Sequence, residues 1–239
     1  MVFWTRPPDE EERRQLAERA GAEARRLFEF DARERIWCDD LSVGAQAVLV
    51  EVTHALVTTG EDQLGRLLDE CDPDPLLLNF AQGVVDAVPV HGSALFEGWQ
   101  ERLGDYPEQL QAAVIRRHAQ IDHFWRWRMF ADRDNPMLWA SASGEIASRL
   151  HVTLLALNKR YGPGLKSPDA LLQRFEIAPT EFAARLRDSF AAPATEQASI
   201  LTQLINETYN LVESHAPAVD IARLREVFNY ERLAAGPSD

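Results

Sequence analysis

Apolar residues recur at helical spacing through the second half of the chain, most clearly between Trp139 and Lys166. The repeated apolar positions are Ile146, Leu150, Leu154, Leu157 and Tyr161. Steps of three and four residues place such positions on one stripe of a helix. We therefore predict a central, buried helix here, which ends where Gly162, Pro163 and Gly164 prevent continuation.

Further helices are predicted from capping residues and apolar spacing. Asp9 is a good N-cap for a helix that has three glutamates in its first turn and continues through Arg25. Pro107 suits the first position of one long helix that reaches past Met129. The other predicted helices begin near Thr59, Asp74, Leu95, Ser167, Thr180, Pro193 and Val219, the last of them running to about Leu233.

Alternating and β-branched residues predict strands only near the start of the chain. Residues 1–4 form a short apolar segment, and residues 35–41 and 47–56 are rich in residues that favour strands. Residues 42–46 form the turn between the two longer strands. Along the last strand the valines face one way, while Glu51 faces the other.

These elements predict an α+β fold that is mostly α. A small, incomplete mixed sheet with flanking helices is followed by a C-terminal helical bundle. Proline and glycine are frequent between residues 89 and 106, which favours a boundary there. We therefore predict two domains, an α/β domain over residues 1–90 and a helical domain over residues 91–239.

Composition restricts the classes of partner. The 239 residues carry a formal net charge of −13, which argues against nucleic acid or an anionic membrane as the main partner. No apolar run approaches the roughly 20 residues that a membrane helix needs, and the N-terminus lacks the pattern of a signal peptide. We expect a cytoplasmic protein in which Cys38 and Cys71 are reduced, structural thiols.

Common catalytic motifs are missing from the sequence. It contains no Walker A loop, no dinucleotide-binding glycine motif, no nucleophile elbow and no H-E-x-x-H. His118 and Asp122 lie one helical turn apart but have no third ligand at matching spacing. Arg117 and His123 fit the permissive spacing of helical ribonucleases from bacterial defence loci, yet in a regular helix the two side chains would point roughly 120° apart.

Two further groups of residues allow either a structural or a functional interpretation. One group interleaves aromatic and basic side chains: Trp125, Arg126, Trp127, Arg128, Arg133 and Trp139. Such residues can stack on a base and bind phosphate, but at helical spacing core packing and surface ion pairs are favoured. The second group is Asp39, Asp40 and Glu51, which would hold Mg²⁺ or form a solvated strand end.

Several segments, taken in order, resemble those of one protein family. They are VFW, RPPDEEERR, ERIWCDDL, VLVEVTH, LGDYPEQL, FADRDNP and LLALNKRYGPGLK. Together they resemble bacterial nucleotidyltransferase-like proteins, in which a polymerase-β-like α/β domain precedes a helical domain, as in aminoglycoside adenylyltransferases. The resemblance covers nearly the whole chain and implies Mg²⁺-dependent adenylyl transfer from ATP to a small hydroxyl acceptor.

The resemblance also implies roles for individual residues. In that family a G-S motif and a D-x-D strand bind Mg²⁺ together with a third acid on a later strand. Here the third acid is Glu51, as metal ligand and catalytic residue, and Asp40 is expected as a second catalytic residue. The implied contacts to the nucleotide phosphates and substrate are Lys166, Arg160, Asn158, Tyr161, Arg133 and Asp134.

The front of the family pattern is missing from this sequence. Gly92-Ser93 is the only G-S pair, no D-x-D strand follows it, and VFW stands just after the position of that strand. We therefore expect a fragment, a misassigned start, or a degenerate relative that binds a nucleotide triphosphate and a small polar acceptor without catalysing transfer. The alternatives are a helical interaction module, such as an antitoxin-like or scaffolding protein, and a metal-independent ribonuclease.

Overall fold

The computed structural model describes residues 1–29, 36–121, 124–133, 135–162 and 174–230. The predicted fold class is confirmed, since these residues form a small mixed sheet and a larger set of helices. The chain divides into two compact units, Met1–Arg66 and Leu67–Asp239. This division lies closer to the N-terminus than the predicted boundary near residue 90. We call the first the strand unit and the second the helical unit.

The strand unit contains a four-stranded sheet. Its elements are β1 (Val2–Trp4), α1 (Glu10–Arg19), β2 (Ala22–Leu27), β3 (Ile36–Val43) and β4 (Val48–Leu56), and α2 (Val57–Leu68) follows β4 directly. The strands lie in the order β1-β4-β3-β2. The short β1 runs parallel to β4, whereas β3 is antiparallel to both β4 and β2. The predicted strands near residues 1–4, 35–41 and 47–56 are therefore confirmed in kind, with small shifts at their ends.

Helix α1 begins as predicted but ends earlier. The Asp9 side chain accepts a hydrogen bond from the Glu12 N–H, and the Glu12 side chain accepts one from the Asp9 N–H, which together form a capping box. The predicted continuation through Arg25 is wrong, because Gly21 takes a left-handed conformation with φ of 69°. The following residues pair with β3 as strand β2, although most of them favour helix.

The hairpin of β3 and β4 divides its side chains between two faces. Trp37, Asp39, Leu41 and Val43 on β3 stand opposite His54, Val52, Val50 and Val48 on β4, and we call this the Asp39 face. Asp40 stands opposite Glu51, and Ser42 opposite Leu49, on the other side, which we call the Asp40 face. The alternation follows from the two-residue period of a strand.

The helical unit is organised around one long helix. Its described helices are α3 (Pro75–Val85), α4 (Ser93–Leu103), α5 (Glu108–His118), α6 (Phe124–Asp132), α7 (Pro136–Leu157), α8 (Phe182–Ser189), α9 (Ala194–His215) and α10 (Ile221–Asn229). Helix α7 packs against α5, α6 and α9. Its predicted apolar stripe is buried throughout, so the central helix is confirmed. Among the described helices, none is long and apolar enough to cross a membrane.

The predicted single helix from Pro107 past Met129 is wrong. Helix α5 ends at His118 and α6 begins at Phe124. The carbonyls freed at the end of α5 receive hydrogen bonds from other helices. Arg149 of α7 donates to the carbonyls of Arg117 and Gln120, each at 3.1 Å, and the Tyr209 hydroxyl of α9 donates to that of Ala119 at 2.8 Å. Tertiary donors therefore stabilise a break that no proline or glycine marks.

The remaining helix limits differ from the predictions in detail. Helix α7 ends at Leu157, before Gly162, and Lys159 takes a positive φ of 51° just beyond it. Pro163, Gly164 and the predicted helix start at Ser167 lie outside the described residues. Helix α2 begins at Val57 rather than near Thr59. The last helix begins at Ile221 and ends at Asn229, short of Leu233, which is also outside the described residues.

Candidate functional site

The register of the hairpin brings two of the predicted site residues together. Asp40 and Glu51 are direct partners across β3 and β4, with Glu51 exposed and Asp40 half-buried. Directly opposite residues in an antiparallel pair have Cβ atoms about 4.5–5.5 Å apart, so the two carboxylates are neighbours. On the other side of β3, Arg26 of β2 is the partner of Asp40. Arg26, Asp40 and Glu51 thus form a row of charges across three strands, which we call the charge row.

Asp39 faces the opposite side of the hairpin and belongs to a buried cluster. Its carboxylate is paired with Arg13 of α1, accepts a hydrogen bond from the Phe28 N–H at 3.1 Å, and lies 2.9 Å from His54 Nε2. The residue is only 2% exposed. Asp39 is therefore separated from Asp40 and Glu51 and does not add a third carboxylate to them.

His54 has both ring nitrogens engaged within this cluster. Its Nδ1 accepts a hydrogen bond from Trp4 Nε1 at 3.0 Å. A neutral ring then carries its proton on Nε2, which faces Asp39, although this N–H is not aligned as in a regular hydrogen bond. Burial lowers the pKa of His54 below its ordinary value, against the opposing attraction of Asp39. A neutral, enclosed imidazole of this kind suits a structural role better than proton transfer to a substrate.

The cluster connects most elements of the strand unit. Trp4 lies on β1, Arg13 on α1, Asp39 on β3 and His54 on β4, and we call these four residues the buried polar network. Arg13 also donates to the carbonyl of Phe28, just after β2, at 2.8 Å, and the ring of Trp37 stacks on His54 with centroids 5.3 Å apart. The sequence analysis did not identify Arg13 or His54. The one available signal was a histidine within an otherwise apolar part of a strand.

In the helical unit, the predicted nucleotide ligand Asn158 is the C-cap of α7. Its amide donates to the carbonyls of Leu154 and Ile177, each at 2.8 Å, and its oxygen accepts from the N–H groups of Glu176 and Ile177, each at 3.0 Å. The bond to Leu154 lies within the end of α7, and the other three join that end to the segment at residues 176–177. A contact of Asn158 with nucleotide stays a prediction.

Tyr161 lies buried against Tyr106, with ring centroids 4.8 Å apart. Burial raises the pKa of Tyr161 to about 12, and its hydroxyl has no hydrogen-bond partner within the described part of the chain. Arg160 and Arg133 are exposed. Lys166 and Asp134 lie outside the described residues, so the structure does not place them relative to Asp40 and Glu51.

The other sequence candidates have mainly structural surroundings. Trp139 is buried and donates from Nε1 to Gln197 Oε1 at 2.7 Å. His118 Nε2 lies 3.2 Å from the Pro73 carbonyl, and burial lowers the pKa of this histidine. Both cysteines are free thiols. Asp122 and His123 lie outside the described residues, and the described ones contain no group of three metal-ligating side chains.

The end of the β3–β4 hairpin exposes apolar side chains that the sequence analysis did not single out. They are Val43, Val48, Leu49 and Val50, of which Leu49 is 75% exposed. Strand β1 pairs only with His54–Leu56. Among the described strands, residues 48–53 of β4 therefore have a neighbour only on the β3 side. We call their other side the open edge.

Comparison with known proteins gave no match among protein-family models, curated proteins or solved structures. The resemblance to nucleotidyltransferase-like proteins therefore stays a prediction.

Replacing Asp39 by Asn should destabilise the strand unit by about 3–5 kcal/mol, because it leaves the buried Arg13 charge without its partner. Asp40→Asn is the matched control, since the adjacent residue lies outside the network and its change should cost about 0.5 kcal/mol or less. Hydrogen exchange of β3 and β4 amides under native conditions measures the difference. Equal protection in the two variants would contradict this role of Asp39.

The strand unit should also lose stability as the pH falls below about 6.5. Because burial lowers the pKa of His54 in the folded state, the unfolded chain binds more protons in this range, and the stabilisation present above pH 6.5 is lost on acidification. His54→Gln should flatten the pH dependence of exchange in β4, whereas His91→Gln, at an exposed site, should leave it unchanged. An undiminished slope in His54→Gln would exclude His54 as its source.

Proposed function

We propose that this chain is an interaction protein that binds a partner through the end of the β3–β4 hairpin. The exposed apolar side chains Val48, Leu49 and Val50 are the observation that supports the proposal. Exposed apolar side chains that lie next to one another often mark a surface that binds another protein. The proposal keeps the non-catalytic alternative drawn from the sequence but assigns the binding surface to the strands instead of the helices.

The arrangement of the acidic residues supports binding over catalysis by this chain alone. Asp39 is engaged by Arg13, so the charge row offers two carboxylates, Asp40 and Glu51. Nucleotidyl transfer as inferred from the resemblance uses three metal-binding acids and two metal ions.

The proposed site of action is the cytoplasm.

A photo-crosslinking amino acid at position 49 should capture a partner protein in the producing cells. The control is the same substitution at Leu76, which has the same exposed fraction of 75% but lies on α3. We expect a discrete crosslinked species, identified by mass spectrometry, from position 49 and not from position 76. Equal labelling from both positions, or from neither, would contradict the proposal.

A second candidate function is a nucleotidyltransferase-like activity, which would require a longer native chain that completes the metal site. The observation in its favour is the direct opposition of Asp40 and Glu51, since two adjacent carboxylates suit Mg²⁺. We propose that Glu51 would bind the metal, Lys166 and Arg160 would contact phosphate, and a completed site would transfer adenylyl from ATP to a small hydroxyl acceptor.

Calorimetric titration with Mg²⁺-ATP tests this second candidate. Binding should depend on Mg²⁺ and weaken roughly tenfold or more in Glu51→Gln and in Lys166→Ala, because each removes one charged contact to the metal nucleotide. Glu97→Gln, at another exposed glutamate, should bind as the parent does. Binding that is indifferent to Mg²⁺ and to both substitutions would exclude this site.

A further inference from the structure

The hydrogen bond between Trp4 and His54 requires a neutral imidazole. The indole Nε1–H of Trp4 on β1 donates to His54 Nδ1 on β4 at 3.0 Å. An indole nitrogen can only donate, and a protonated imidazole carries a hydrogen on both ring nitrogens. A proton added to His54 therefore binds Nδ1, where the new N–H would point at the N–H of Trp4. The two donors cannot keep this contact.

The other side of the imidazole ring favours the charged form. His54 Nε2 lies 2.9 Å from Asp39 Oδ2, so a charged ring would form an ion pair with this buried carboxylate. Burial opposes the charge, as do the guanidinium of Arg13 on α1 and the amino group of Met1, and together they lower the pKa of His54. Protonation thus leaves the contact with Asp39 attractive and makes the contact with Trp4 repulsive.

The chain between Trp4 and α1 is held independently of His54. Two residues after Trp4, Arg6 pairs with Glu12 of α1, and its Nη1 donates to Glu12 Oε2 at 2.9 Å. Because the hydrogen bond from Arg6 lowers the pKa of Glu12 to about 2, this pair stays ionised where His54 titrates. The displacement of Trp4 is therefore confined to β1 and does not carry α1 with it.

We propose that the contact between Trp4 and His54 is a pH-sensitive switch that releases β1 from β4 when His54 takes up a proton. The contact is made at neutral pH, where Nδ1 accepts from the indole. It is lost on acidification below about pH 6.5, because the acceptor is then occupied by a proton. Arg13, Asp39 and the β3–β4 hairpin stay in place, since the charged His54 remains paired with Asp39. This switch is independent of the proposed binding surface.

Removing the indole donor tests the switch through the titration of His54 itself. In Trp4→Phe, protonation no longer costs a hydrogen bond, so the pKa of His54 should rise by roughly 1, a tenfold higher affinity for the proton. Trp127→Phe, which removes a half-buried tryptophan of α6, should leave this pKa unchanged. The ring signals of His54 in an NMR titration of the full chain measure both values.

The indole N–H of Trp4 reports the release directly. Its NMR signal, assigned by its absence from Trp4→Phe, should move toward the position of a free indole with the same midpoint as His54. The amide signal of Phe3 on β1 should change with that midpoint as well. The amide signals of Leu41 and Val50, which are partners within the hairpin, should not.

Three results would overturn the inference. They are a His54 pKa that is the same in the parent and in Trp4→Phe, a Trp4 indole signal that keeps its hydrogen-bonded position while His54 titrates, and hairpin amides that change together with β1. His54→Gln supplies an oxygen that accepts from Trp4 without titrating. A Trp4 signal that still moves below pH 6.5 in this variant would likewise reject His54 as the switch.

Discussion

The buried ion pair between Arg13 and Asp39 is the interaction on which the strand unit depends. Both side chains are almost completely buried, and burying a charge is costly unless it is paired and hydrogen-bonded. Helix α1 must therefore lie where Arg13 reaches β3, and the chain after β2 must bring the Phe28 N–H and carbonyl to the same pair. His54 completes the arrangement as a neutral ring between Asp39 and Trp4.

This ion pair also decides which acidic residues remain available. Because side chains alternate along a strand, fixing Asp39 on one face directs Asp40 to the other. Asp40 consequently stands beside Glu51, with Arg26 on its far side. The network lies near one end of the hairpin, and towards the turn the apolar residues Val48 and Leu49 are exposed. The charge row and the exposed end of the hairpin thus follow from the same strand register.

In the helical unit, polar side chains at chain breaks have a comparable organising role. Arg149 and Tyr209 donate to carbonyls at the end of α5, and Asn158 bonds the end of α7 to residues 176–177. The last carbonyls of a helix have no hydrogen-bond partner within the helix, so they need donors from elsewhere when they are shielded from water. The central position of α7 is therefore fixed by its buried apolar stripe and by the hydrogen bonds of Arg149 and Asn158 to neighbouring segments.

Periodicity and capping are local properties, and they were sufficient to predict the fold class, the strands of the hairpin, the N-cap at Asp9 and the burial of the α7 stripe. The sequence by itself also placed Asp40 and Glu51 on adjacent strands. The identity of β2, the break after His118 and the burial of Asp39 against Arg13 depend instead on tertiary contacts. In each case the deciding partner lies far away in sequence: β3 for β2, Arg149 for the helix break and Arg13 for Asp39. Spacing along the chain does not reveal such pairings, because they depend on which buried groups can satisfy one another after the elements have packed.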